Sequence, residues 1–192
     1  IKYIPKQLWV QTTDGNDNIS FIDLNCDPRF PMYTSMPQAQ VFLNNICALD
    51  CHFCMNKYIK RETSQYEWPW ERDATNVKIV PVQNIIDSID FLTQMGVSRI
   101  ELGTTVGEPL EHDIAELTEI FNYLEGNSKI ESYFFYTNLT NLQDNHIELF
   151  KSTHKFKIRI SCYGLSSKQF ETQTQHSLWP QFVSNFEKLA LV

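Results

Sequence analysis

The sequence predicts an α/β fold in which parallel strands alternate with crossover helices. Three observations carry that expectation. Apolar residues recur at helical spacing in four segments. Short runs rich in β-branched and aromatic residues stand between them, and glycines or polar turns mark the junctions. From Ala39 onward the order strand then helix repeats four times. A helix between two strands returns the chain to the same end of the sheet, so the strands run parallel.

Each element has its own signature. "KQLWVQTTDGNDNISFIDL" (Lys6 to Leu24) reads as two strands around an Asp-Gly turn, an N-terminal β-hairpin. "NCDPRFPMYTSMP" holds three prolines and reads as a connector, so residues 1–37 stand apart from an alternating region over residues 38–192. "AQVFLNN" is a short apolar strand leading straight into a group of cysteines. Residues 57–76 are charged and aromatic without a period, and read as a surface excursion. "PVQNIIDSIDFLTQMG" places Val82, Ile85, Ile86, Ile89 and Leu92 on one helical face and stops at Gly96. "VSRIELGT" is the second strand. "HDIAELTEIFNYLEGN" is a helix with Ile114, Leu117, Phe121 and Leu124 on one face. "KIESYFFYTN" is the third strand, "QDNHIELFKSTH" a shorter helix, and "FKIRISCYG" the fourth strand. The last helix, "LWPQFVSNFEKLALV", is expected to bury Trp179, Phe182, Val183, Phe186 and Leu189. The sequence shows neither self-similar repeats nor low complexity.

Composition narrows the function. The chain has 192 residues, a one-domain length that can bury a real core, with 42% hydrophobic and 13% aromatic residues. A net charge of −7 with scattered Lys and Arg argues against a nucleic-acid partner, which would want a basic face. No apolar run approaches the roughly 18 residues of a membrane helix, so no membrane partner is expected. Neither terminus looks natural, and the start at Ile1 reads as trimmed. Five cysteines, three of them clustered, make a disulfide scaffold a poor fit. A reducing, cytoplasmic setting with a metal site fits better.

The cluster is Cys47, Cys51 and Cys54, spaced C-x3-C-x2-C. Eight residues cannot reach far, so the three thiols can converge on one small object. A structural zinc wants four ligands, usually in two separated pairs, and the second pair is missing. His52 adjoins Cys51 and is badly placed to share its ion. A ferredoxin cluster wants a fourth cysteine, and neither Cys26 nor Cys162 has its spacing. A [4Fe-4S] cube held at three corners remains, with its fourth iron open to a small ligand.

C-x3-C-x2-C with an aromatic, Phe53, before the last cysteine resembles the motif of the radical SAM superfamily. The resemblance runs from about Gln38 to Val192. It implies that the parallel strands belong to a (β/α) barrel of radical SAM type, with the site on the loops that follow the strands. It implies two cofactors, a [4Fe-4S] cluster on Cys47, Cys51 and Cys54 and S-adenosylmethionine on the open iron, whose reductive cleavage yields a 5'-deoxyadenosyl radical. After the second strand, "GTTVGEPLEH" is similar to the family's Gly-Gly-Glu-Pro segment. Gly107, Glu108 and Pro109 match, and Val106 replaces the first Gly. The resemblance sets Gly107 and Glu108 beside the cofactor's amino group and Phe53 beside its adenine. "YTN" puts Asn138 where similar enzymes carry Thr-Asn. "RISCYG" is similar to the family's Ile-Ser-Leu-Asp/Tyr-Gly stretch, with Ser161 expected at the cofactor's ribose or carboxylate. Strand alternation puts Arg159 on the side of Ser161, to pair with the cofactor carboxylate or with a barrel acid such as Glu101. Cys162 is expected to face the other way as a packed apolar residue.

The family core has six strand–helix units and four are counted here, so the barrel reads as truncated after the fourth β/α unit. "ISCYGLSSKQFETQTQ" and its aromatic helix resemble the peptide-modifying maturases of the SPASM or twitch type. That resemblance implies hydrogen abstraction from a ribosomally made peptide and an electron donor such as flavodoxin or ferredoxin. Two alternatives stay open. One is a small-molecule enzyme like the molybdenum-cofactor cyclases, and the other is a non-catalytic chain with a structural zinc or iron-sulfur site.

Overall fold

The computed structural model describes residues 9–13, 19–23, 38–44, 46–54, 79–103 and 107–191. Strands β1 (Trp9–Thr13) and β2 (Ile19–Asp23) pair antiparallel, with Trp9 opposite Asp23. The Asp-Gly turn of the expected hairpin lies outside the described residues, as do Cys26, Val106 and the excursion over 57–76. A second sheet has four parallel strands in sequence order: β3 (Gln38–Val41), β4 (Arg99–Leu102), β5 (Ser132–Thr137) and β6 (Phe156–Ile160). Helices α1 (Val82–Gln94), α2 (Ile114–Gly126) and α3 (Asp144–Lys151) make the three crossovers. Helices α4 (Ser167–Thr174) and α5 (Trp179–Ala190) follow β6. The order and direction of strands are those of a partial barrel.

The ends of these elements obey local chemistry. Asp113 caps α2, its carboxylate accepting from the amides of Ala115 at 2.8 Å and Glu116 at 3.3 Å. Gly96 takes a left-handed φ of 88° just past α1, a conformation that glycine adopts without a Cβ clash. The expected helix over "LWPQFVSNFEKLALV" forms, but its buried face differs. Phe182 is buried as expected, Phe186 is 47% exposed, and Asn185 is buried because its amide donates to the Leu139 carbonyl at 2.7 Å. Helix α4 was not separated from its neighbours by apolar period. Its signal was Ser166 followed by Gln169, whose backbone N–H donates to the Ser166 hydroxyl.

The sheet's two faces divide by the period of two. Ala39, Val41, Ile100, Leu102, Tyr133 and Phe135 face the helices and are buried. Phe121 of α2 sits at the centre of an aromatic group, its ring centroid 5.0 Å from Tyr133 and 4.8 Å from Phe156. The other face carries Gln40, Glu101, Phe134, Tyr136, Lys157 and Arg159, a polar lining. Among the described residues no helix is long and apolar enough to cross a membrane.

Candidate functional site

Parallel strands deliver four groups of described residues to one end of the sheet: 42–44 with 46–54, 103 with 107–111, 138–143 and 161–166. The cysteines lie on the first. Cys47 is exposed, Cys51 buried and Cys54 half-buried. The Cys54 amide donates to the Cys51 carbonyl at 3.1 Å, a tight turn that keeps the last two thiols together. Two further bonds fasten this loop from outside. The amides of Asp50 and His52 donate to the carbonyls of Thr174 at 3.1 Å and Gln173 at 3.3 Å, which the end of α4 leaves without helical donors.

The second segment locks onto the first. The Glu108 amide donates to the Ile46 carbonyl at 2.6 Å, and the Asn44 side-chain amide donates to the Glu108 carbonyl at 3.1 Å. Gly107 sits at the closest approach with φ 85°. A Cβ there would lie 2.1 Å from the Asn44 carbonyl oxygen, a backbone atom that cannot swing aside. Pro109 is buried and opens a short 3-10 turn (Pro109–Glu111), so its role is to set the chain direction after Glu108.

Glu108 is buried, and three donors converge on its carboxylate. Thr137 donates through its hydroxyl at 2.6 Å, Asn138 through its amide N–H at 2.8 Å, and Leu110 through its own at 3.2 Å. Burial disfavours the charge and the three donors favour it. Burial wins, and the carboxyl is pushed up to about 7. The third segment completes the link. Asn138 uses its side-chain oxygen to accept from the amide and hydroxyl of Thr140 at 2.9 and 2.6 Å, a turn-forming role. Its side-chain N–H group points to the Cys47 sulfur at 3.6 Å. One residue thus contacts both the Glu108 carboxylate and a cysteine. The next residue, Leu139, is buried with a left-handed φ of 61°, a strained state for Leu. The Thr137 hydroxyl accepts from its N–H at 3.0 Å and Asn185 binds its carbonyl, so both sides hold it in place.

Cys47 reaches solvent, yet its thiol is crowded. Desolvation, with the negative charges of Glu108, Cys51 and Cys54 close by, pushes it up to about 12. Such a thiol keeps its proton at neutral pH until a metal displaces it.

The fourth segment brings Ser161 and Tyr163. The Ser161 amide donates to the Thr137 carbonyl at 2.8 Å, and its side chain hydrogen-bonds the Tyr163 hydroxyl. The Tyr163 ring lies 5.4 Å from the ring of Phe53, which is 41% exposed. Arg159 lies lower. Its contacts run to Tyr136 and Phe134 on β5, away from the cysteine loop. Cys162 corrects its expectation: it is exposed, with its thiol donating to the Gly164 carbonyl at 3.2 Å. It lies past the end of β6, where alternation no longer applies.

Residues 41–189 match the family model described as the Radical SAM superfamily. The chain belongs to the radical SAM superfamily. Among solved structures this radical SAM chain is similar to Streptococcus suis SuiB, determined bound to the precursor peptide SuiA. The TM-score is 0.54 at 15% sequence identity, over 82% of this chain and 33% of that one, so the likeness is one of fold and the chain spans about a third of SuiB. A comparison with curated proteins returned no match.

The residues present fit the iron-sulfur cluster that the family implies. Soft thiols are its natural ligands. Cys51 and Cys54 both lie within electrostatic reach of Cys47. A cube needs thiols spread one to a corner.

Proposed function

We propose that this chain holds a [4Fe-4S] cluster on Cys47, Cys51 and Cys54, binds S-adenosylmethionine beside it, and serves hydrogen abstraction from a ribosomally made peptide. The observation that carries the reading is Asn138, which touches Cys47 with its side chain and Glu108 with its backbone. Through it the cysteine loop and the Gly-Glu-Pro segment become one site. When bound, the two cofactors supply the reductive cleavage and the 5'-deoxyadenosyl radical.

The chain's own residues bind and orient. Gly107 removes a side chain where the loops meet, and Glu108 offers a carboxylate to the cofactor's ammonium group. That cation would favour the ionised carboxylate and draw Glu108 below its resting value. The exposed ring of Phe53 gives an apolar wall for the adenine. Ser161 presents a hydroxyl for the ribose or carboxylate. The Asn138 amide, aimed at the Cys47 sulfur, favours its thiolate form. The peptide in the SuiB complex supports a peptide substrate for the shared fold, and a flavodoxin- or ferredoxin-type protein would deliver the electron.

Anaerobic reconstitution with iron and sulfide tests the assignment. The expected product is brown, absorbs in the visible, and cleaves S-adenosylmethionine on reduction. Cys51→Ala should lose the colour and Cys162→Ser should keep it. A colourless wild-type chain holding one zinc ion would overturn the reading.

A further inference from the structure

The polar face of the sheet has two tiers. The upper tier, at the strand ends, holds Cys47, Glu108, Asn138, Ser161 and Tyr163. The lower tier lies further back along the strands and centres on Arg159. Its guanidinium carbon lies 3.9 Å from the Phe134 ring centroid and 5.2 Å from that of Tyr136. One terminal nitrogen donates to the Tyr136 hydroxyl at 2.6 Å. Tyr136 stands opposite Arg159 in the β5–β6 register, and Phe134 stands opposite Lys157. The cation therefore rests on an aromatic platform, and one hydrogen bond fixes its rotation.

Among the described residues no carboxylate makes an ion pair with Arg159. Glu101 is the nearest acid in charge effect. It is buried, hydrogen-bonded by Gln40, and reached by Gln38 at 3.5 Å. Burial raises it and the Arg159 charge lowers it, but its oxygens are engaged by neutral amides. Arg159 and Tyr136 are both exposed, and Lys157 shares their face two residues away. In a chain of net charge −7 this is a local reversal of sign, set below the candidate cofactor residues. An arginine held flat keeps its outer edge ready for a two-point contact with a planar anion, and a carboxylate matches that fork.

Taking the cofactor reading above as its basis, the geometry points to Arg159 as the substrate anchor, with the lower tier receiving a peptide through an Asp or Glu side chain or a C-terminal carboxylate. Lys157 adds attraction at longer range. Phe134, buried beneath it, and Tyr136 hold the guanidinium in its orientation, and the half-exposed Tyr136 ring offers an apolar surface to the substrate's methylene groups. Arg159 is thereby assigned away from the cofactor, for whose ribose or carboxylate Ser161 stands on the upper tier.

Two small probes separate the possibilities in the reconstituted chain. N-acetyl-glutamate N-methylamide and its glutamine counterpart are titrated while the arginine side-chain N–H resonances are followed by NMR. The acid should give a saturable shift and bind about tenfold more tightly than the amide, the size of one charge-assisted contact. Arg159→Gln should erase the preference and Arg159→Lys should keep part of it. Affinity for S-adenosylmethionine should stay unchanged in both variants. Equal binding of acid and amide would overturn the inference. So would a tenfold loss of S-adenosylmethionine affinity in Arg159→Gln, which would return the guanidinium to the cofactor. Iron content and visible absorption, read on the same samples, report on the cluster assignment separately.

Discussion

The helix-facing side of the sheet and its strand-end edge are built on opposite terms. On the first, Ile100, Leu102, Tyr133 and Phe135 meet Phe121 and its helix neighbours through area alone. Each buried side chain contributes about 1.5–3 kcal/mol, and no single contact is indispensable. At the strand ends Gly107, Glu108, Thr137, Asn138 and Leu139 meet through single hydrogen bonds, a close backbone approach and one strained dihedral. The first region tolerates adjustment and sets stability. The second has few ways to adjust, and it sets chemistry.

The sharpest way to break this contrast is Gly107→Ala. The added Cβ meets a backbone oxygen at 2.1 Å, so the Gly-Glu-Pro segment must move off the cysteine loop. Iron incorporation should fall severely while helical circular dichroism persists. Normal iron content would show that the two loops are not interlocked.

Phe121→Ala acts on the other side. Removing a ring packed against Tyr133, Phe135, Phe150 and Phe156 should cost about 3–5 kcal/mol in urea unfolding. Below the unfolding transition, iron binding should be kept. A loss of iron binding without a loss of stability would erase the distinction between the regions.

The pH dependence of Glu108 sharpens it. Its carboxyl, raised from 4.5 to about 7, binds a proton more tightly folded than unfolded. The stability this contributes is full below about pH 4.5, is lost as pH rises to about 7, and changes no further above that. In the metal-free chain the decline should be on the order of 3 kcal/mol. Glu108→Gln should remove that portion of the slope, read as the difference between wild-type and variant unfolding curves across pH. Parallel curves would show that the carboxyl is already ionised at pH 5.

Much of the fold was legible because its signals are local. The α1 and α2 faces and the alternating strands follow from apolar period, and β3 through β6 fall where those runs occur. One miss comes from a polar group that finds a distant partner. Asn185 displaced Phe186 from the buried face of α5 because the Leu139 carbonyl needed a donor. Arg159 was expected at either the cofactor carboxylate or Glu101; its charge acts on Glu101, and the rings of Phe134 and Tyr136 are contacts the sequence did not announce. Cys162 was assigned by an alternation that stops at Ile160. Asn44 was passed over in the candidate site, since nothing in its own neighbourhood marks it, and Tyr163 was given no role although it lies inside the quoted "RISCYG".

By itself the sequence determined the alternation of four strands with crossover helices, the three thiols within one short stretch, and the Gly-Glu-Pro run after the second strand. Those depend on spacing along the chain, and spacing survives without coordinates. Only the tertiary structure decided that Asn138 touches both Cys47 and Glu108, that burial outweighs three hydrogen bonds in raising Glu108, and that Arg159 rests on two rings. Each of these joins residues on different strands. Such contacts exist only once the parallel register has brought the strands side by side.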